Sequence, residues 1–291
     1  MQHSFLKHAL VIGVLAVLLP ACDREPDTPT APQVTTANPP GGTPDGGRGA
    51  TDLEEDLPAP ELKDVVEVEP DYVVGITYPH SAKQYPGLAR ELERYASAER
   101  AELMEAVEAR RRSGAEDGSL YDLSLTFTEV LNQPGLVAYA ADGTRYTGGA
   151  HGTPLLERFV WLPREDRMLG ARDLVPKPDG WQEISNYVRE QLHTALSQRV
   201  DADDLPAEDR ARLVANAGLM IDEGTAPKPE NFSRFEPMAG DGETLTGLRF
   251  VFPPYQVGPY SDGTQQVEVP AEVLLPHIAP AYRGLFGAAA G

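Results

Sequence analysis

Apolar residues along the chain follow two periods, and the switches between them outline the fold. Val66 and Val68, then Tyr72, Val74, Ile76 and Tyr78, alternate with other residues, and Pro70-Asp71 interrupts the run. This reads as one or two strands over Val65 to Tyr78. Leu88, Leu92, Tyr95, Leu103, Ala106 and Val107 then recur at three- and four-residue spacing. A helix is predicted from about Pro86 to Arg112, with Pro86 suited to a first turn and Ser113-Gly114 to a stop. Its other face carries Glu91, Glu93, Arg94, Arg100, Glu105 and Arg110 and is a solvent face.

Alternation returns at Tyr121, Leu123, Leu125 and Phe127, a half-buried strand. Asn132-Gln133-Pro134-Gly135 is a turn, Leu136 to Ala141 a strand, and Asp142-Gly143 a turn signal for a tight hairpin. Tyr146 to Gly152 leads into a strand over Leu155 to Leu162, and Arg164 to Arg167 turns that strand into Met168-Leu169. These strands are expected to form one antiparallel sheet against the first helix. Pro178-Asp179-Gly180 opens a second helix with Trp181, Ile184, Val188, Leu192, Ala195 and Leu196 inward, and a third runs from about Pro206 to Ala217. Strands follow at Phe232 to Pro237, Leu245 to Phe252 and Gln265 to Val269, with turns at Asp241-Gly242 and Asp262-Gly263. Glu272 to Ile278 closes as a short helix or turn. The predicted class is α+β, antiparallel sheets packed with helices, in the order β-α-β-β-β-α-α-β-β-β.

The amino terminus breaks from both periods. An apolar run from Ala9 to Leu19 follows Lys7 and has the length of a signal-peptide core. It ends in Leu19-Pro20-Ala21-Cys22, which resembles the lipobox of bacterial lipoproteins, and Cys22 is the one cysteine of the chain. The resemblance implies cleavage after Ala21, acylation of Cys22 and a mature protein held to a bilayer at the periplasmic face. Asp23 resembles an inner-membrane retention signal. Residues 22–61, rich in Pro, Gly, Thr and acid, are expected to be a disordered tether.

Composition then narrows the partners. The 291 residues carry 45 acidic and 25 basic side chains, a formal charge of −20. Nucleic acid is excluded as a partner, since phosphate binding needs clustered Lys and Arg; the acidic surface either steers a basic protein or, the reading favoured over it, only confers solubility. One cysteine excludes an intrachain disulfide, and the six scattered histidines show no metal-ligand spacing, so no metal or cofactor is expected.

Two segments stand out. Tyr146-Thr147-Gly148-Gly149-Ala150-His151-Gly152 holds three glycines in seven residues and is expected to thread the chain from one layer to the next. The second runs from Phe252 through Pro253-Pro254-Tyr255-Gln256-Val257-Gly258-Pro259-Tyr260, followed by Gly263 and Val267-Glu268-Val269-Pro270. This second segment resembles the carboxy-terminal domain of RsiV-type anti-sigma factors, which sense lysozyme. The first resembles the boundary between that domain and the amino-terminal module of PdaC-type peptidoglycan deacetylases. The resemblance spans roughly Val65 to Tyr282. It implies an extracytoplasmic α+β body, divided as a 62–152 PdaC-like module and a 153–291 RsiV-like domain. It supplies no deacetylase metal set and no sigma-binding segment.

The candidate binding residues are Tyr146, Gly148, Gly149, His151, Tyr255 and Tyr260. His151 is the one candidate for catalysis, as a general base; the reading favoured over it is that His151 bonds a backbone group and pins the glycine crossing. Tyr255 and Tyr260 either stack on a sugar or anchor an interface, or cap a sheet edge where prolines block pairing. Trp161 and Trp181 are assigned to the core. Glu129, Glu157 and Asp173 are the acids available for a carboxylate pair. The expected function is a membrane-tethered, non-enzymatic envelope lipoprotein that binds a lysozyme-type muramidase or peptidoglycan. The alternatives are a cell-wall glycan or ester hydrolase using His151, and a structural envelope protein without a small ligand.

Overall fold

The computed structural model describes residues 60–114, 118–202 and 206–286. The signal segment, Cys22, Asp23 and the tether up to residue 59 lie outside the described residues.

β1 (Val65–Val68) and β2 (Tyr72–Thr77) form an antiparallel pair split at the expected break. α1 (Pro86–Ser113) opens on its proline and stops where Gly114 takes φ 68°, a conformation glycine enters without a Cβ penalty. Leu88, Leu92, Ala96, Leu103 and Val107 form its buried face. α1 carries the chain back so that β2 and β3 (Tyr121–Gln133) run parallel, with Val74 opposite Leu123 and Ile76 opposite Leu125. The sheet is therefore not wholly antiparallel, because a crossover of this length permits parallel neighbours.

β4 (Leu136–Tyr146), β5 (Thr153–Leu162) and β6 (Arg167–Met168) complete a six-stranded sheet in sequence order. Asp142-Gly143 is not a turn. Both residues lie inside β4, where Gly143 sits opposite Leu125 and Leu155. A Cβ at Gly143 would lie 2.0 Å from the Ser124 carbonyl oxygen. The glycine answers a close backbone approach within the sheet.

The next part of the chain is helical. α2 (Ala171–Leu174) is a single turn that the apolar pattern did not announce. α3 (Pro178–Ala202) buries Trp181, Ile184, Val188, Leu192 and Leu196 as expected but leaves Ala195 exposed, because its buried face passes to Leu196 and Val200. α4 (Ala207–Gly224) runs about two turns beyond Ala217, because Ile221 continues its buried face. The smaller sheet is antiparallel: β7 (Phe235–Ala239), β8 (Leu245–Phe252) and β9 (Gln265–Pro270), then α5 (Ala271–Leu274). β7 begins later than expected because Pro229–Phe232 forms a 3-10 turn that stacks Phe232 on Trp181, centroids 5.3 Å apart. The fold is α+β. The observed order differs from the expected one by the split first strand, β6 and the two one-turn helices.

β4 explains how the layers join. Val137, Tyr139 and Ala141 pack with α1, whereas Leu136 and Ala138 pack with α3 and the smaller sheet. β5 does the same, with Phe159 and Trp161 on one side and Val160 and Leu162 on the other. Successive strand residues face opposite ways, so a run of apolar residues buries both faces of a strand. The 152/153 division thus falls at a hairpin inside one sheet. A seam of charge ties the two sheets together. Arg158, 6% exposed, donates to Glu236 at 2.6 Å and to Asp142 at 3.0 Å. Arg249 reaches the other Glu236 oxygen, and Arg234 donates to the Leu156 carbonyl at 2.7 Å.

Candidate functional site

The glycine-rich stretch is the loop of the β4–β5 hairpin, between Tyr146 at the end of β4 and Thr153 at the start of β5. It does not cross from one layer to another: Arg145 pairs directly with Thr153 in the same ladder. Two glycines shape it, Gly148 at φ 99° and Gly149 at φ 94°, conformations that disfavour any side chain. The Tyr146 hydroxyl donates to the Gly149 carbonyl at 3.0 Å and closes the loop on itself. Tyr146 also packs edge-on against Tyr121. The loop is thereby bent so that exposed His151 faces a second segment, more than a hundred residues later in the chain.

That second segment leaves β8 at Phe252. Pro253 and Pro254 lead into Tyr255, which takes φ 73°. A positive φ at a bulky residue costs on the order of 1–2 kcal/mol. The turn is held by Tyr255 N–H on the Gly258 carbonyl at 2.9 Å and Gln256 N–H on the Pro253 carbonyl at 3.1 Å. The Gln256 side chain donates to the carbonyls of Gly224 at 3.0 Å and Asn231 at 2.9 Å, fixing the turn to the end of α4. Val257 is buried beneath it. Tyr260 opens a 3-10 turn that ends at Gly263, φ 66°.

The two segments meet in a cluster of three rings. His151 lies flat on Tyr260, centroids 4.0 Å apart and planes 16° apart. His151 Nε2 is 3.1 Å from the Tyr255 hydroxyl, and Nδ1 is 3.4 Å from the Gly152 carbonyl oxygen. The Tyr260 hydroxyl reaches the same carbonyl at 3.5 Å. Of the candidate residues, then, His151, Tyr255 and Tyr260 come together, while Tyr146, Gly148 and Gly149 shape the loop that presents His151. His151 faces a backbone carbonyl and two tyrosines, and the crossing it was expected to pin is instead a hairpin loop. Gln256 received no role from its sequence. Its function as the bracket of the turn depends on α4 and the Asn231 carbonyl, which no local pattern announces.

The cluster holds part of what a general base needs. A base needs an orienting partner and a nucleophile within reach. The carbonyl at Nδ1 can orient the ring, but the group at Nε2 is a tyrosine hydroxyl. Asp142, near in sequence, is bonded to Arg158. The three candidate acids lie with separate partners. Glu129 accepts from Tyr139 and Asn132, Glu157 faces Arg234 and the Arg158 amide, and Asp173 accepts from the Gly170 amide. Glu129 is held below the usual carboxylate range, first by the Ser81 hydroxyl. Trp161 and Trp181 are 4% and 3% exposed and belong to the cores. Among the described residues no group of three or more His, Cys, Asp or Glu side chains is placed to hold a metal ion, and no helix is long and apolar enough to cross a membrane.

No curated protein matches the chain. Among solved structures the chain is similar to a DUF3298-family protein from Bacteroides fragilis, at 18% identity, covering 80% of this chain and 99% of the other with a TM-score of 0.48. A DUF3298-family protein from Pseudomonas aeruginosa PAO1 is similar at 19% identity, covering 79% and 98%, with a TM-score of 0.46. Residues 173–272 of this chain, which include Tyr255 and Tyr260 but not His151, match the family described as Protein of unknown function (DUF3298).

Proposed function

We propose that the folded body is a non-enzymatic binding module, held at the bacterial envelope by acylated Cys22, and that the His151–Tyr255–Tyr260 cluster is its ligand-contact surface. The observation that carries this reading is the convergence itself. Two segments with Tyr255 and His151 104 residues apart build an aromatic cluster in which His151 and Tyr255 are exposed, on a turn held by hydrogen bonds, with one aromatic in a strained conformation. Strain kept at an exposed side chain points to a use outside the fold. Aromatic anchors held in place before contact lose little freedom on binding. Envelope ligands fit the lipobox-like Cys22, and a lysozyme-type muramidase is the first protein to try because it is basic and the chain is acidic.

A biosensor titration of the full chain against a purified muramidase, and a pelleting assay with peptidoglycan sacculi, test the reading at physiological salt. Saturable binding to one of them, weakened when Tyr255 and Tyr260 are both replaced by Ala, is the expected result. Absence of saturable binding to both removes it. The anchor is tested separately: Cys22→Ala is expected to move the protein from the membrane to the soluble fraction, and unchanged membrane association rejects acylation as the anchor.

A further inference from the structure

We infer that the ring face of Tyr255 is a stacking subsite for a pyranose of a neutral glycan. This rests on reading the aromatic cluster as a ligand surface and specifies what that surface takes. The three rings are not equivalent. His151 and Tyr260 cover one another in a flat stack. Tyr255 is tilted 39° to each of them, with centroids 6.2 Å from His151 and 5.7 Å from Tyr260. It is 55% exposed. Neither neighbour lies flat against Tyr255, so its ring remains free to be covered while its hydroxyl is fixed by His151.

The chemistry around that ring suits a sugar. The face of an aromatic ring is electron-rich, and the C–H groups on one side of a pyranose present partial positive charge to it. The sugar hydroxyls at the rim then need groups that both donate and accept. The tyrosine hydroxyls and the imidazole offer both, and the Gly152 carbonyl adds an acceptor. The cluster contains no ion pair. The acid nearest in sequence, Asp262, already accepts from Arg199 at 2.7 Å and from Ser261. In a chain of net charge −20, a neutral pyranose approaches the cluster without repulsion. The Gln256 bracket and the Tyr255–Gly258 hydrogen bond hold the ring in place before any ligand arrives, which lowers the entropic cost of stacking.

The test uses the full chain with two soluble probes, a β-1,4-linked N-acetylglucosamine hexamer and maltohexaose, by calorimetry and saturation-transfer NMR. Saturable binding is expected, with saturation transferred to the sugar ring protons. Binding of the acetylated hexamer alone assigns a cell-wall type of glycan, and equal binding of both assigns a general pyranose site; either supports the subsite. Tyr255→Phe keeps the ring and is expected to stay within about threefold of wild type, whereas Tyr255→Gly should weaken binding roughly tenfold or more. Glycine accepts the positive φ at this position, so the variant retains its fold, which circular dichroism checks. No saturable binding of either sugar, or full affinity in Tyr255→Gly, overturns the inference. If the sugars do not bind while muramidase or sacculi do so through Tyr255, the glycan subsite fails and the binding module stands. If no ligand depends on the cluster, both fail.

Discussion

Arg158 on β5 and Glu236 on β7 meet at 2.6 Å, 78 residues apart, with 6% and 7% of their surfaces exposed. The pair is buried where the six-stranded sheet faces the smaller one. Removing Glu236 leaves Arg158 with Asp142 and Arg249 with Glu268, so the loss is smaller than the roughly 3–5 kcal/mol of breaking an isolated buried pair. Glu236→Ala is expected to destabilise the fold by about 1–3 kcal/mol in urea unfolding. Arg158→Met combined with Glu236→Leu should recover much of the loss, because an apolar pair of similar volume removes both desolvation penalties. A double variant no more stable than the single one would show that this pair contributes more than its removal penalty.

The glycines of the first sheet separate by what surrounds them. At Gly143 a Cβ meets backbone at 2.0 Å, and a strand cannot move aside as a flexible side chain can. Gly143→Ala is expected to cost about 3 kcal/mol or more, the upper end of overpacking. Gly75, in β2, has open space where its Cβ would be. Gly75→Ala should be neutral or stabilising by up to about 1 kcal/mol. Paired melting curves of the two variants decide this, and equal effects would rule out the close-approach explanation.

Tyr255 poses stability against binding. Its φ of 73° favours glycine. Tyr255→Gly is therefore expected to be more stable than Tyr255→Ala by about 1 kcal/mol, read from chemical denaturation. Both lose the ring. If the two variants unfold together, the turn has relaxed and the tyrosine is not strained in solution.

Burial, with smaller contributions from Glu93 and Asp64, pushes the Tyr78 hydroxyl up to about 12, and burial also raises Tyr95 and Tyr139 above the ordinary tyrosine range. Tyr78 stacks on Phe127 at 4.8 Å and Tyr95 sets its edge against the same ring. A folded-state value above the unfolded one means that the stability these groups contribute is intact below pH about 10 and declines as pH rises toward 12. Absorbance at 295 nm should show a fraction of the tyrosines ionising late and together with unfolding. Ionisation of all tyrosines near pH 10 in the folded protein would contradict the burial.

The elements were legible where a side-chain period carried them. The buried face of α1 could be read from Leu88, Leu92, Leu103 and Val107, and its ends from Pro86 and Gly114, because helix start and stop chemistry is local. Strand partners were less legible. Nothing in Tyr72–Thr77 states that it runs parallel to Tyr121–Gln133, since direction is set by the length of α1 between them. Asp142-Gly143 misled because a turn and a close backbone approach call for the same residue. Both segments of the site drew attention through their glycines, prolines and aromatics. Their meeting did not, because a contact such as His151–Tyr255 leaves no trace in local pattern.

The placement of the hairpin loop has a practical consequence for anyone dividing this protein. A fragment ending at Gly152 would keep β4 and discard the strand that pairs with it from Val137 to Arg145. Its newly bare edge would lie beside a surface, Leu136 and Ala138, that the missing half normally covers. Sequence similarity can trace a shorter segment such as 173–272, but that segment leaves out β4 and β5, whose Leu136, Ala138, Val160 and Leu162 share one apolar core with α3 and the smaller sheet.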